Sequence, residues 1–331
     1  MVAISLMILE HTPIVSELHR PDWPRWKRLV AEVETLGFAG LYRGDHFTSA
    51  LPSGEESPEM IVALSYLASQ TQRLSFGTLV APLSFRHPAL LLRQAVALSE
   101  LSAGRMILGV GTGWEEGEHQ TFGFDLLDVP ARLARLEEGL EVITRLLGSD
   151  EPVTYEGRFF QLRGARLLSQ KLQSPRLPIL IGGNGLHRTL PLVAHYADIW
   201  NGQRLTPEAF QRRSAHLDAL LSEEGRPPES VKRTLYCWLH FGRTMEELDQ
   251  VLAFRHEIPD LAGRPLAEVI QTLRTELWGN RLVGTPEMLI EQIQAYAGAG
   301  VEELVLHWFE LDNSELLHGF AESILPRVQD N

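Results

Sequence analysis

The chain has 331 residues, 44 % of them hydrophobic and 22 % charged, which is ordinary globular usage and excludes a disordered or fibrous protein. Thirty Lys and Arg against 43 Asp and Glu give a net charge of −13, a surface that repels nucleic-acid phosphates and anionic membranes, so neither is an expected partner. No apolar run approaches the roughly 20 residues of a membrane span, Met1–Glu10 has no basic signal-peptide start, and one cysteine, Cys237, rules out an internal disulfide and fits a reducing cytoplasm.

Short apolar, β-branched segments alternate along the chain with longer helical patterns, the signature of a parallel α/β fold. Strands are predicted at Ala3–Leu9, Ala39–Tyr42, Leu74–Val80, Met106–Val110, Pro178–Ile181, Ile199–Asn201, Thr234–His240 and Glu303–Trp308. Asp22 is placed to cap a helix with Trp26, Leu29, Val30, Val33 and Leu36 on one face, stopped by Gly37. Pro88 opens a second helix, and Thr285-Pro286 reads as a cap followed by proline at the first helical position of another. Eight strands each followed by helical material predict a (β/α)8 TIM barrel, one domain over 1–331. Insertions are expected after strand four, about 114–175, and after strand seven, 243–284. The first should hold a helix over Pro130–Leu147 and a hairpin within Pro152–Leu168; the second reads as a lid or binding element, helical around Leu266–Leu277.

Barrel chemistry sits where strands end. The first strand ends in Glu10-His11, pocket candidates by position, and the second in Asp45-His46-Phe47. The fourth offers Gly111-Thr112-Gly113-Trp114, the fifth Gly182-Gly183-Asn184-Gly185, the sixth Trp200, the eighth His307-Trp308. There is no His-x-His and no His-Glu-x-x-His, so no metal site is expected. A glycosidase needs a facing carboxylate pair, and the seventh strand ends in His240-Phe241-Gly242-Arg243. Gly109-Val110-Gly111-Thr112-Gly113 departs from the dinucleotide fingerprint, its third glycine one place early. Both glycine loops read either as tight turns or as places where a planar ring or a phosphate meets the backbone. A helix predicted over Leu186–Ala194 would put N–H groups and Arg188 near an anion at the second loop.

In their order and spacing, Leu36-Gly37-Phe38, Asp45-His46-Phe47, Gly77-Thr78-Leu79-Val80, Phe85-Arg86-His87-Pro88, Ser102-Ala103-Gly104-Arg105, Gly109 to Trp114, Tyr155 to Phe159 and Pro178 to Gly183 resemble the bacterial-luciferase-like flavin and deazaflavin oxidoreductases. The resemblance covers nearly the whole chain. It implies coenzyme F420, favoured, or FMN in the barrel mouth, hydride transfer to or from a small organic substrate, and a homodimer. It also implies a non-proline cis peptide at Leu79–Val80 against the ring, cofactor contacts from Thr78, Leu79, Val80, Gly111, Thr112 and Gly113, and a phosphate end at Gly182, Gly183, Asn184, Gly185 and Arg188, helped by Arg86 or His87. His46 matches a histidine beside the reactive ring, a proton-transfer group; the alternative is a structural histidine tied to Asp45, its expected orienting partner. Trp114, Trp200 and Trp308 are expected to wall the substrate pocket, with core packing the alternative.

Two departures bear on substrate. Sugar-phosphate dehydrogenases of the family carry a glutamate after Gly-Thr-Gly, where this chain has Trp114, and a tryptophan four residues after the histidine, where it has Ala50. That disfavours a sugar phosphate. The rival readings are a two-component FMN monooxygenase served by a flavin or F420 reductase, and a non-catalytic flavin binder.

Overall fold

The computed structural model describes residues 1–8, 22–48, 56–167, 176–275 and 281–329. Among them, eight parallel strands close into a barrel: β1 Ala3–Ile8, β2 Gly40–Arg43, β3 Ser75–Thr78, β4 Met106–Gly111, β5 Ile179–Gly182, β6 Ile199–Gln203, β7 Lys232–Phe241 and β8 Glu303–Trp308. Each strand pairs with the next, and β8 returns to β1 with Ala3 opposite Glu303 and Met7 opposite His307. All eight predicted strands form. Their continuous hydrophobicity reflects burial on both faces, one filling the barrel and the other packed under helices.

The helices follow their sequence signals. Helix α1 spans Trp23–Leu36; Asp22 Oδ1 accepts from the Arg25 N–H at 3.0 Å, and Gly37 closes it at φ +94°. Next come α2 Met60–Gln70, α3 Pro88–Leu101, α4 Glu116–Phe122 and α5 Val129–Gly148, whose cap is Asp128, accepting from the Ala131 N–H at 2.8 Å. The expected hairpin follows as Val153–Glu156 against Gln161–Ala165. After β5 lie α6 Thr189–Tyr196 and α7 Pro207–Glu223. Helix α6 starts three residues later than predicted, so the Gly182–Gly185 bend is followed by a turn, not directly by a helix. The insertion after β7 holds α8 Met245–Val251 and α9 Leu266–Thr275, packed around a small core of its own that includes Leu248, Leu252, Leu261, Val269 and Leu273. Helices α10 Pro286–Gly298 and α11 Ser314–Ser323 complete the outer layer. Thr285 stands at the cap position of α10, but its side chain makes no capping bond.

Two irregularities shape the barrel's upper end. The β3–β4 ladder stops at Gly77 opposite Ile107. There the Thr78 hydroxyl takes over, donating to the Gly109 carbonyl at 2.6 Å and accepting from the Gly109 N–H at 2.8 Å. The chain then crosses a cis Leu79–Val80 peptide before Ala81 and Pro82 resume pairing with Val110 and Gly111. The second irregularity is an additional short strand, Arg281–Gly284, absent from the sequence expectation. Ten-residue β7 uses its lower half, Lys232–Tyr236, to pair with β6, and on its upper half Trp238–Phe241 pairs with Arg281–Gly284. The added strand raises one side of the barrel.

Strand alternation sorts the interior. On β8, Glu303, Val305 and His307 point inward, whereas Leu304, Leu306 and Trp308 join the outer core. At the bottom, Glu303 accepts from Ser5 Oγ at 2.5 Å and from Lys232 Nζ at 2.6 Å. Above it lies an apolar layer of Met7, Tyr42, Ile107, Leu180, Ile199 and Val305, and above that the strand ends open.

Candidate active site

A cleft of about 320 Å³ opens at the C-terminal strand ends, where a barrel concentrates its chemistry. Met7, Leu79, Val80 and Pro82 form an apolar floor; Asp45, His46, Glu118 and His119 stand on one side; Asn201, Gln203, Arg204, Tyr236, Trp238 and His307 stand on the other.

His46 is held by a residue that sequence reasoning missed. Glu118, on the short helix α4, lies with Oε2 2.9 Å from His46 Nδ1 and is 4 % exposed. Its other oxygen accepts the backbone N–H groups of Phe47 and, at 3.1 Å, Thr48. Burial works to raise this carboxyl, but the His46 hydrogen bond and charge and the two backbone donors outweigh it, leaving the carboxyl below its ordinary range. The result is an ionised carboxylate that fixes both the ring and the loop carrying it. Aromatic contacts brace the same loop: Phe47 stacks on Phe122 at 4.4 Å and on Phe124 at 5.5 Å.

The expected Asp45–His46 pairing is therefore corrected. Glu118 occupies His46 Nδ1, and Asp45 turns to Arg86, which donates through Nε at 2.7 Å and Nη2 at 2.9 Å. Arg86 also donates to Glu59 at 2.7 Å, so its charge is spent inside the protein rather than on an anionic ligand. This bidentate pair ties the end of β2 to the start of α3. Asp45→Asn leaves the guanidinium half-paired, with an expected loss of about 2–4 kcal/mol, read as a lower urea midpoint at unchanged slope.

The opposite wall is a polar and aromatic chain. Trp238 Nε1 donates to Tyr236 Oη at 3.0 Å, and that hydroxyl lies 2.8 Å from His307 Nδ1. Two guanidiniums lie against the Trp238 ring, Arg281 at 4.4 Å and Arg204 at 5.4 Å from its centre. Arg281 also donates to His240 Nε2 at 2.8 Å; burial, helped by the Arg204 charge, pushes its guanidinium down to about 10.

The predicted site residues divide. His46, Asp45, Leu79, Val80, Gly113 and Trp114 line the cleft; Trp114 is 64 % exposed at the rim, its ring edge-on to His46 at 6.1 Å. Trp200 and Trp308 do not line it, which corrects their pocket assignment: both are 0 % exposed and face outward, Trp200 stacked on Phe210 and Trp308 set against Phe241 and Phe320. Thr78 is buried with its hydroxyl committed to Gly109. Gly111, Thr112, Gly182, Gly183, Asn184, Gly185 and Arg188 stand beside the cleft rather than in its lining, and exposed Arg188 has Glu137 at 3.7 Å. Glu10 and His11 lie outside the described residues, as does Ala50.

The glycines beside the floor keep the backbone bare. A Cβ on Gly111 would come within 2.5 Å of Val80 Cγ2, and one on Gly182 within 3.5 Å of Val80 Cγ1. Val80 thus rests against two glycine positions on neighbouring strands, an arrangement suited to a flat ring above it.

With this geometry in view, residues 4–303 match the profile of the family described as luciferase-like monooxygenase. The chain belongs to that family. Among curated relatives of this luciferase-like oxidoreductase, the F420-dependent glucose-6-phosphate dehydrogenase of Microbacterium testaceum (strain StLB037) is 27 % identical over 329 residues, covering 89 % of this chain and 90 % of the relative. The 4-hydroxyprotoasukamycin monooxygenase of Streptomyces nodosus subsp. asukaensis is 29 % identical over 315 residues, covering 94 % and 77 %. Among solved structures, monooxygenase RslO1 from Streptomyces bottropensis superposes with a TM-score of 0.80 at 21 % identity, covering 99 % of this chain and all of the other. That likeness supports the barrel fold. Among the described residues, no helix is long and apolar enough to cross a membrane and no three His, Cys, Asp or Glu side chains converge as for a metal ion.

Proposed function

We propose that this luciferase-like enzyme binds coenzyme F420 in the cleft and transfers a hydride between it and a small organic substrate, with His46 handling the accompanying proton. The observation that carries the reading is the Glu118–His46 pair at the cleft wall, 2.9 Å between Oε2 and Nδ1. A buried carboxylate on Nδ1 orients the imidazole and stabilises its charged form, as a general acid–base requires, and makes Nε2 the nitrogen that exchanges a proton with substrate. The residues fit a planar coenzyme: Leu79, Val80 and Gly113 would hold the ring, and Gly183 to Arg188 the anionic tail. When bound, the deazaflavin supplies the carbon centre that accepts or gives the hydride. Trp114, in place of the glutamate of the sugar-phosphate dehydrogenases, supports a substrate other than a sugar phosphate.

A second reading replaces F420 by FMN and adds oxygen and a partner reductase; the 29 % identical relative, named as a monooxygenase, favours it. The test is a titration of apo-protein with oxidised F420 and with FMN, followed by tryptophan quenching. Preference for F420 supports the first reading, preference for FMN the second, and binding of neither overturns both. In the supported case, His46→Ala keeps coenzyme affinity within about threefold and loses at least about 100-fold in turnover. Equal turnover in the variant removes His46 from the chemistry.

A further inference from the structure

On the wall across from His46, Asn201 presents an acceptor that the protein does not satisfy. The residue lines the cleft, is 0 % exposed, and its Oδ1 receives no hydrogen bond. Which end of the amide faces the cleft is decided by its neighbour. Thr234 Oγ1 has one proton, which it donates to the Trp200 carbonyl at 3.1 Å. Toward Asn201, 2.8 Å away, it therefore acts as acceptor, and the amide group beside it is the Nδ2 donor. Oδ1 is left as the unpaired end of a side chain that lines the cleft. The backbone is equally fixed: Asn201 stands opposite Gly182 in the β5–β6 register, and its carbonyl accepts the Gly183 N–H at 2.9 Å. A polar atom buried this way is retained at a cost in stability unless a bound molecule completes it.

We propose that Asn201 is a specificity-determining residue whose Oδ1 accepts an O–H or N–H from the molecule bound in the cleft. The partner chemistry is a hydrogen-bond donor, held against an otherwise apolar floor of Met7, Leu79 and Val80. Two sources carry such a group, the ring N–H of the coenzyme and a hydroxyl of the substrate. A carbonyl, ether or ester oxygen at that point meets oxygen against oxygen and is rejected. Sites built to bond a ligand's OH or NH discriminate strongly against analogues lacking it. The inference rests on the cleft being the coenzyme and substrate site.

The test compares donor and methylated probes on the whole wild-type chain and on Asn201→Leu, a near-isosteric change that removes the acceptor. FMN against its N3-methyl analogue examines the coenzyme source; cyclohexanol against methoxycyclohexane, added to coenzyme-loaded protein, examines the substrate source. Dissociation constants are read by tryptophan quenching. At least tenfold preference for the donor member of one pair in wild type, lost in Asn201→Leu, supports the proposal and names the source. If Asn201→Leu does not fold, Thr234→Val serves instead: it frees the amide to turn over and should erase the same preference. Coenzyme binding with no preference in either pair overturns the inference while leaving the functional reading intact. Failure of any coenzyme to bind overturns the functional reading, and this inference with it.

Discussion

Glu118→Gln is expected to lower turnover by about 100-fold and to change coenzyme affinity by less than about threefold. The amide still reaches the histidine, so the loop stays in place, but the ring loses the charge that stabilises its protonated form; analogous replacement of an orienting carboxylate costs a catalytic histidine several orders of magnitude. A purely structural Glu118 would instead shift stability and leave the pH–rate profile unmoved. In the expected case the acidic limb attributable to the histidine moves to lower pH, because a neutral partner no longer favours the imidazolium. Stability carries its own signature. The Glu118 carboxyl is depressed in the folded protein relative to its ordinary 4.5, so its contribution is fully present above that value and is lost as pH falls through the lowered one. Urea midpoints measured from pH 6 downward should fall more steeply for wild type than for Glu118→Gln.

The second large effect is expected at Gly111. Valine there drives its Cβ toward Val80 Cγ2, 2.5 Å away, and so displaces a side chain that lines the cleft. Coenzyme affinity falls by at least about 100-fold, since a misplaced floor loses the close contact on which ring binding depends. Gly148 is the matched control. A Cβ at the end of α5 meets nothing within 4 Å, so Gly148→Val leaves affinity unchanged. Equal affinity in the two variants would remove the Val80 floor from the binding surface.

Much of this architecture was legible because burial on both faces writes itself into sequence as uninterrupted apolar runs. Hence all eight barrel strands were found, and the cap Asp22 fell where its helix begins. The Arg281–Gly284 strand was not, because four residues opening on an arginine carry no such run; it exists because β7 outlasts β6 and leaves an edge to be paired. Trp200 and Trp308 show a different failure. Residue type suggested a ring platform, but period-two alternation puts them on the outward face as surely as it puts Asn201 and His307 inward. Glu118 could not have been paired with His46 by spacing, since 72 positions separate them and only the closure of β2 against the α4 loop brings them together.

The double pairing of β7 separates two jobs that most barrels give to one strand. Its lower half pairs with β6 and its upper half with Arg281–Gly284, while Thr234–Leu239 pairs with β8; of the β7 residues, Tyr236 and Trp238 line the cleft. The 243–284 segment feeding that upper half has its own apolar core around Leu248 and Val269. Exchange of this segment between relatives should therefore behave as a graft that leaves the host's barrel closure and its Glu118–His46 pair in place.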